Sequence, residues 1–218
     1  MDKLEFESMT LCPLDGRYGK IKDQLADYFS EYALVKYRVF VEIQWLKFQL
    51  DHLHTETLDK VDPNKVDDIL AISKDFNFDS FKRIKEIESV TRHDVKAVEY
   101  FIDEKLKALG YEHLESYVHI GCTSEDINNT SYACMIKHGL KDVWLPAAKE
   151  FASMINKLAV DHKDDAMLAH THDSLLHLQL LVKNSKSMLI VSFLVLKTLK
   201  ISRLKQNSMG QLVTTVLS

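Results

Sequence analysis

Four short segments of the chain put ionisable and hydroxyl side chains where they can act on a ligand. The first is CPLDGRYGK, residues 12–20. Its Gly-Arg-Tyr turn shows the guanidinium of Arg17 beside the phenol of Tyr18, and the two can hold a phosphate by charge-assisted hydrogen bonds. The second is SVTRHDVKAVEYF, residues 89–101, with Arg92, His93 and Asp94 where a helix is predicted to begin. Unpaired backbone N–H groups at such a start favour anionic or polar ligands, and an Asp beside a His can fix the imidazole tautomer. The third is HIGCTSEDINNTS, residues 119–131, where the Thr123 and Ser124 hydroxyls open another predicted helix. Hydroxyl and backbone donors together there make a carboxylate site. The fourth is LAHTHD, residues 168–173. His170 and His172 are spaced to ligate a metal, but no third ligand is suggested nearby, so no metal site is assigned. A general acid on a short extended segment suits this stretch better, because His gives up a proton near neutral pH. The first three segments also have plainer readings: a surface turn, an N-cap Asp94 with an incidental His, and a capping box Thr123-x-x-Asp126.

The elements that must position these groups read as helices. Six Gly and three Pro are too few to punctuate a turn-rich β fold. Residues 23–54 carry Leu25, Tyr28, Tyr32, Val35, Val39, Ile43, Leu46 and Leu50 at spacings of three and four, which predicts one long amphipathic helix. Asp62-Pro63 suits an N-cap followed by the first helical residue. Residues 93–110 have an acid in the first turn, lysines in the last and Gly110 to end the helix. Gly139 closes the segment that Thr123 opens, and Pro146 is placed to start the next. No run with strand period and useful length is apparent, so the body is expected to be all-α.

Bulk composition narrows the function classes. Hydrophobic and charged fractions of 46% and 28% are those of an ordinary soluble globular protein. Residues 173–218 carry one acid and six bases, a net of +5, which leaves −9 for residues 1–172 of a chain whose total is −4. An acidic body argues against a nucleic-acid surface. The longest apolar run, MLIVSFLVL at 188–196, is too short to span a bilayer. Three cysteines without C-x-x-C spacing read as free thiols in a reducing compartment, and the N-terminus lacks a signal pattern, so the cytoplasm is the expected location.

Taken together and in order, PLDGRY, FSEYALVKYRVFVEIQWL, RHDVKAVEYF, CTSEDINN and AHTH resemble the bacterial-type adenylosuccinate lyases of the fumarase/aspartase superfamily. The likeness runs from about Leu11 to His172. It implies an N-terminal helical domain over residues 1–115, the start of a long-helix bundle over 116–172, and a truncated fold. It implies β-elimination of fumarate from adenylosuccinate to give AMP, and from SAICAR to give AICAR, without metal or organic cofactor. Arg17 and Tyr18 would hold the nucleotide phosphate. Arg92, His93 and Asp94 would contact the nucleotide, with Arg92 standing where many relatives have Asn. Thr123 and Ser124 would bind the succinyl carboxylates, and His172 would be the general acid. The family is a homotetramer whose active sites draw on several subunits. A non-enzymatic helical protein that binds nucleotide, and a membrane-surface protein anchored by its basic tail, are the alternatives.

The likeness stops at His172. The family continues with a run like GQPATPTTIGK, where this chain has DSLLHLQLLVK. One coding of the family run, with a single base removed from its first codon, translates as DSLLHLQLLV. The stretch NSMGQLVTT at 207–215, read in the displaced frame, similarly resembles the family's GAVGNY segment. Residues 173–218 are therefore expected to be an aberrant, frameshifted tail, and the family's mobile loop with the serine thought to be the base is missing. DNA sequencing around codon 173 is expected to show a lost base. An intact frame would remove this reading.

Overall fold

The computed structural model describes residues 15–16, 18–171 and 174–180. It divides at Gly139 into two units. The described part of the first unit is helical: α1 (Gly19–Phe29), α2 (Glu31–His52), α3 (Val66–Lys74), α4 (Phe78–Thr91), α5 (Asp94–Ala108) and α6 (Ser124–Gly139). Short 3-10 turns at Leu58–Lys60, Pro63–Lys65 and Glu112–Tyr117 link them.

The centre of the first unit is α2. Its positions Val35, Val39, Ile43 and Leu46 are buried and meet Ile69 of α3, Ile84 of α4, Val98, Phe101 and Ile102 of α5, and Leu114 beyond it. This is the apolar stripe that the three-and-four spacing predicts. Burial of each such side chain contributes on the order of 1.5–3 kcal/mol. The single helix expected over 23–54 is broken in two at Ser30. The Ser30 backbone is extended (ψ 167°) and its Oγ accepts the Ala33 N–H at 3.1 Å. A serine followed by an acid is an N-cap signal, and here it outweighs the continuous apolar period. Asp62-Pro63 likewise starts a 3-10 turn, and α3 begins three residues later, at Val66.

Two glycines do what their positions predict. Gly110, at φ 82°, ends α5: its N–H bonds to the Lys107 carbonyl and that of Tyr111 to the Leu106 carbonyl, closing the helix in the left-handed manner that glycine allows. Gly139 ends α6 where α1 crosses it. A Cβ there would lie 2.7 Å from the Phe29 ring, so the bare backbone is what lets α1 approach.

The second unit begins with a π-helical turn, Leu140–Trp144, and continues as α7 (Leu145–Asp161) with Pro146 in its first turn. Ala159 is its one buried residue among those described. Trp144, Phe151, Met154 and Leu158, spaced at seven, three and four, stay exposed. Strands β1 (Ala166–Thr171) and β2 (Ser174–Leu180) then pair antiparallel, with Leu168 opposite Leu178 and His170 opposite Leu175. This hairpin departs from the expectation of no strand. Leu176, Leu178 and Leu180 alternate with His177 and Gln179, and that period of two is a strand signal. The fold class is nonetheless all-α, with this one ribbon added. No helix among the described residues is long and apolar enough to cross a membrane. The apolar run at 188–196 lies outside them.

One charge sits poorly in this core. Burial, then the nearby Glu115 and Glu99 carboxylates, push the Asp103 carboxyl up to about 6. Its Oδ1 has no hydrogen-bond partner among the described residues. A carboxyl whose native pKa lies above its unfolded value near 3.9 binds protons better in the folded state, so its contribution to stability falls as pH rises through that interval. Asp103→Asn is expected to raise Tm at about pH 7.5 by roughly 2–4 °C, discounted for partial exposure. The gain should shrink as pH falls from about 6 towards 4, which thermal unfolding followed by circular dichroism will show.

Candidate functional site

The second and third segments do open helices, but not as their spacing suggests. Arg92 caps the end of α4 in the left-handed conformation, with φ 53° and ψ 30°, its N–H on the Glu88 carbonyl at 2.7 Å. His93, not Asp94, is the N-cap of α5: its Nδ1 accepts the Lys96 N–H at 3.2 Å. An Nδ1 that accepts leaves the ring proton of neutral His93 on Nε2. The tautomer is thus set by a backbone donor rather than by Asp94, whose Oδ1 is 3.8 Å from Nδ1.

The Asp94 carboxylate is held elsewhere. Its Oδ2 lies 2.6 Å from Nη2 of Arg38, a side chain of α2 that is 5% exposed. Its Oδ1 accepts the Val95 N–H. Burial pushes this carboxyl up, but the Arg38 charge and these hydrogen bonds outweigh it and hold the pKa below the usual carboxylate value.

At the start of α6, Asp126 Oδ2 accepts both the Thr123 N–H (2.7 Å) and the Thr123 hydroxyl (2.9 Å). This is one half of the expected capping box, with the acid reaching back. The hydroxyl donates to Asp126 instead of accepting from the helix. Ser124 Oγ makes no hydrogen bond within the described residues. One turn on, Asn128 Oδ1 accepts Arg38 Nε–H at 2.9 Å while its amide nitrogen donates to Glu125 at 3.0 Å. Arg38 therefore joins the two helices, Asp94 meeting its Nη2 and Asn128 its Nε.

Arg38 was invisible to motif reading. The available signal is a second stripe on α2, Arg38, Glu42, Trp45 and Gln49 at spacings of four, three and four, all buried. Trp45 Nε1–H donates to the Ile120 carbonyl (3.0 Å) and Gln49 Nε2–H to that of Tyr117 (3.1 Å). Glu42 meets His119 Nδ1 at 2.6 Å. This stripe secures the segment that runs into Thr123.

Of the remaining expected residues, Tyr18 stands half exposed at the start of α1. Arg17 and His172 lie outside the described residues, and so do the side chains of the β hairpin, His170 included. Burial, with the Glu42 and Asp126 charges, pushes the Cys122 thiol up to about 12, which keeps it protonated near neutral pH. No cluster of His, Cys, Asp and Glu among the described residues is arranged to hold a metal.

A family model described as lyase matches residues 16–174, most of the chain. The chain belongs to the lyase family. The adenylosuccinate lyase of Vibrio cholerae is 41% identical over 171 residues, which are 78% of this chain and 38% of that protein. That of Escherichia coli is 40% identical over 171 residues, with the same coverage. That of Legionella pneumophila is 40% identical over 166 residues, 74% of this chain and 36% of that protein. This lyase-family chain spans less than two fifths of the length of these curated relatives.

The left-handed backbone of Arg92 yields a test. That conformation costs an ordinary residue on the order of 1–2 kcal/mol, and Asn tolerates it better. Arg92→Asn is expected to stabilise the protein by about 0.5–1 kcal/mol in urea unfolding. A clear loss of stability would mean that the Arg92 side chain makes contacts worth more than the strain.

Proposed function

We propose that this chain is the nucleotide- and dicarboxylate-gripping part of an adenylosuccinate lyase. The observation that supports the reading is the Arg38 bridge, which ties Asp94, at the start of one helix, to Asn128, one turn into the helix that follows Thr123. Similarity to adenylosuccinate lyases over three quarters of the chain supports the substrate class.

Arg17 and Tyr18 grip the nucleotide phosphate, bidentate contact being what a guanidinium does best. His93, with its ring proton on Nε2, donates towards the nucleotide, and Asp94 and Arg92 complete that side. The start of α6 receives a succinyl carboxylate through exposed N–H groups and the Ser124 hydroxyl. Thr123 takes part once its hydroxyl is released from Asp126. Elimination then needs a base to remove the proton beside a carboxylate, donors to hold the developing enediolate-like anion, and an acid for the leaving nitrogen. His172 is that acid. The products are AMP and fumarate, and SAICAR gives AICAR by the same steps, placing the reaction in purine biosynthesis.

No Ser-Ser-x-Met-Pro segment, the family element expected to supply the base, occurs within these 218 residues. Residues 173–218 read as a displaced frame, and the family model's end at residue 174 supports that. A general acid without its base leaves little elimination activity. The exposed stripe of Trp144, just before α7, and Phe151, Met154 and Leu158 on it supports association with further copies, as in a homotetramer of shared sites. The compartment is the cytoplasm.

Calorimetric titration tests the grip separately from the chemistry. The 218-residue chain is expected to bind AMP, and Arg17→Ala to weaken that binding about tenfold or more. A fumarate-release assay on the same chain should give no turnover. Absence of AMP binding, or an Arg17→Ala variant that binds as well, would overturn the reading.

A further inference from the structure

His119 is one of two non-glycine residues among those described with positive φ, at 63°. The left-handed conformation costs a β-substituted residue on the order of 1–2 kcal/mol, and it persists where surrounding contacts over-determine it. The contacts come from α2. Gln49 holds the Tyr117 carbonyl, Trp45 the Ile120 carbonyl, and the Glu42 carboxylate the His119 ring at 2.6 Å. The chain then turns, with the Cys122 N–H on the His119 carbonyl at 3.1 Å, and the next residue is Thr123.

We propose that Glu42 is a positioning residue for the Thr123–Ser124 helix start, acting through His119. This rests on the reading of that start as a carboxylate-binding site. Packing alone would favour a neutral residue at this place. Glu42 is 1% exposed, one of its oxygens has no partner among the described residues, and an uncompensated buried carboxylate costs several kcal/mol. Burial pushes the Glu42 carboxyl up, and the hydrogen bond and charge of His119 work against that rise; the ring also lies 3.9 Å from Glu99 and feels Lys96. The carboxylates of Glu99 and Asp103 and the Cys122 thiol face Glu42 as well. The Glu42 hydrogen bond raises the His119 pKa against the opposing effect of burial, so the imidazolium form that grips the carboxylate persists to higher pH. Gln in place of Glu42 fills the same volume and removes the charge, so the ring loses its ionic anchor while the core keeps its shape.

The test is nitrogen-15 NMR of the whole 218-residue chain. In Glu42→Gln, the amides of residues 119–124 and the Trp45 indole N–H are expected to move by more than a linewidth. The His119 titration should shift to lower pH, and the amides of Val98 and Ile102 in the core should stay in place. Trp45→Phe provides a second variant if Glu42→Gln does not fold: it deletes the Ile120 bond, so the 119–124 amides should move while the His119 titration holds. Amides 119–124 unmoved in a folded Glu42→Gln protein would overturn the proposal. So would unmoved amides in Trp45→Phe if that is the variant that folds. Fumarate titration of the wild type is a separate arm. If it leaves Thr123 and Ser124 unshifted, the carboxylate-site reading fails, while the response of 119–124 to Glu42→Gln still decides the positioning role.

Discussion

The guanidinium of Arg38 sits inside the first unit and bonds both the carboxylate of Asp94 and the side-chain amide of Asn128. A buried cation is tolerable when its donors are matched, and removing one partner typically costs several kcal/mol. Here the partners belong to the starts of two different helices. Satisfying Arg38 therefore fixes where α5 and α6 begin relative to each other. The polar groups gathered at those starts inherit that placement.

The same helix supplies the core. Val35, Val39, Ile43 and Leu46 face one way along α2, and Arg38, Glu42, Trp45 and Gln49 face another. Close packing of the apolar row leaves little freedom for the polar row, so the side chains behind the site are rigid by construction. The result is a supporting layer of buried donors and acceptors that end on the backbone of residues 117–120 and on the two helix starts. Site geometry and core stability are thus coupled, and changes in the polar row will be felt in both. The second unit presents a contrast. Its helix α7 buries only Ala159 among the described residues, and Phe151, Met154 and Leu158 lie exposed along it.

Much of this architecture was legible because it rests on period and punctuation. The apolar face of α2, the ends of α5 and α6 at Gly110 and Gly139, and the helix starts near residues 93 and 123 could be read from spacing and punctuation. What escaped depended on competition or on tertiary pairing. Ser30 breaks a continuous apolar pattern because its hydroxyl offers the backbone a better cap than the helix does. Asp62-Pro63 carries a start signal that a 3-10 turn uses up first. The β hairpin was hidden by leucines that suit either period. His93 displaced Asp94 as the cap because Asp94 was claimed by an arginine more than fifty residues away. No local rule reports such a claim. Nothing in the sequence around Arg38 marks it as buried, and its burial follows from what α5 and α6 bring to it. The left-handed turns at Arg92 and His119 were unreadable for the same reason: neither residue type asks for that conformation, and only the surroundings impose it.

The central claim is that Arg38 makes one site out of two helix starts, and a double-mutant cycle between its partners tests it most directly. Asp94→Asn and Asn128→Ala touch different helices and are joined through the shared guanidinium. Unfolding free energies of the two single variants and the double variant should reveal a coupling of about 0.5–3 kcal/mol. Effects that add to within about 0.3 kcal/mol would contradict the account, since each helix start would then be holding its place without the other.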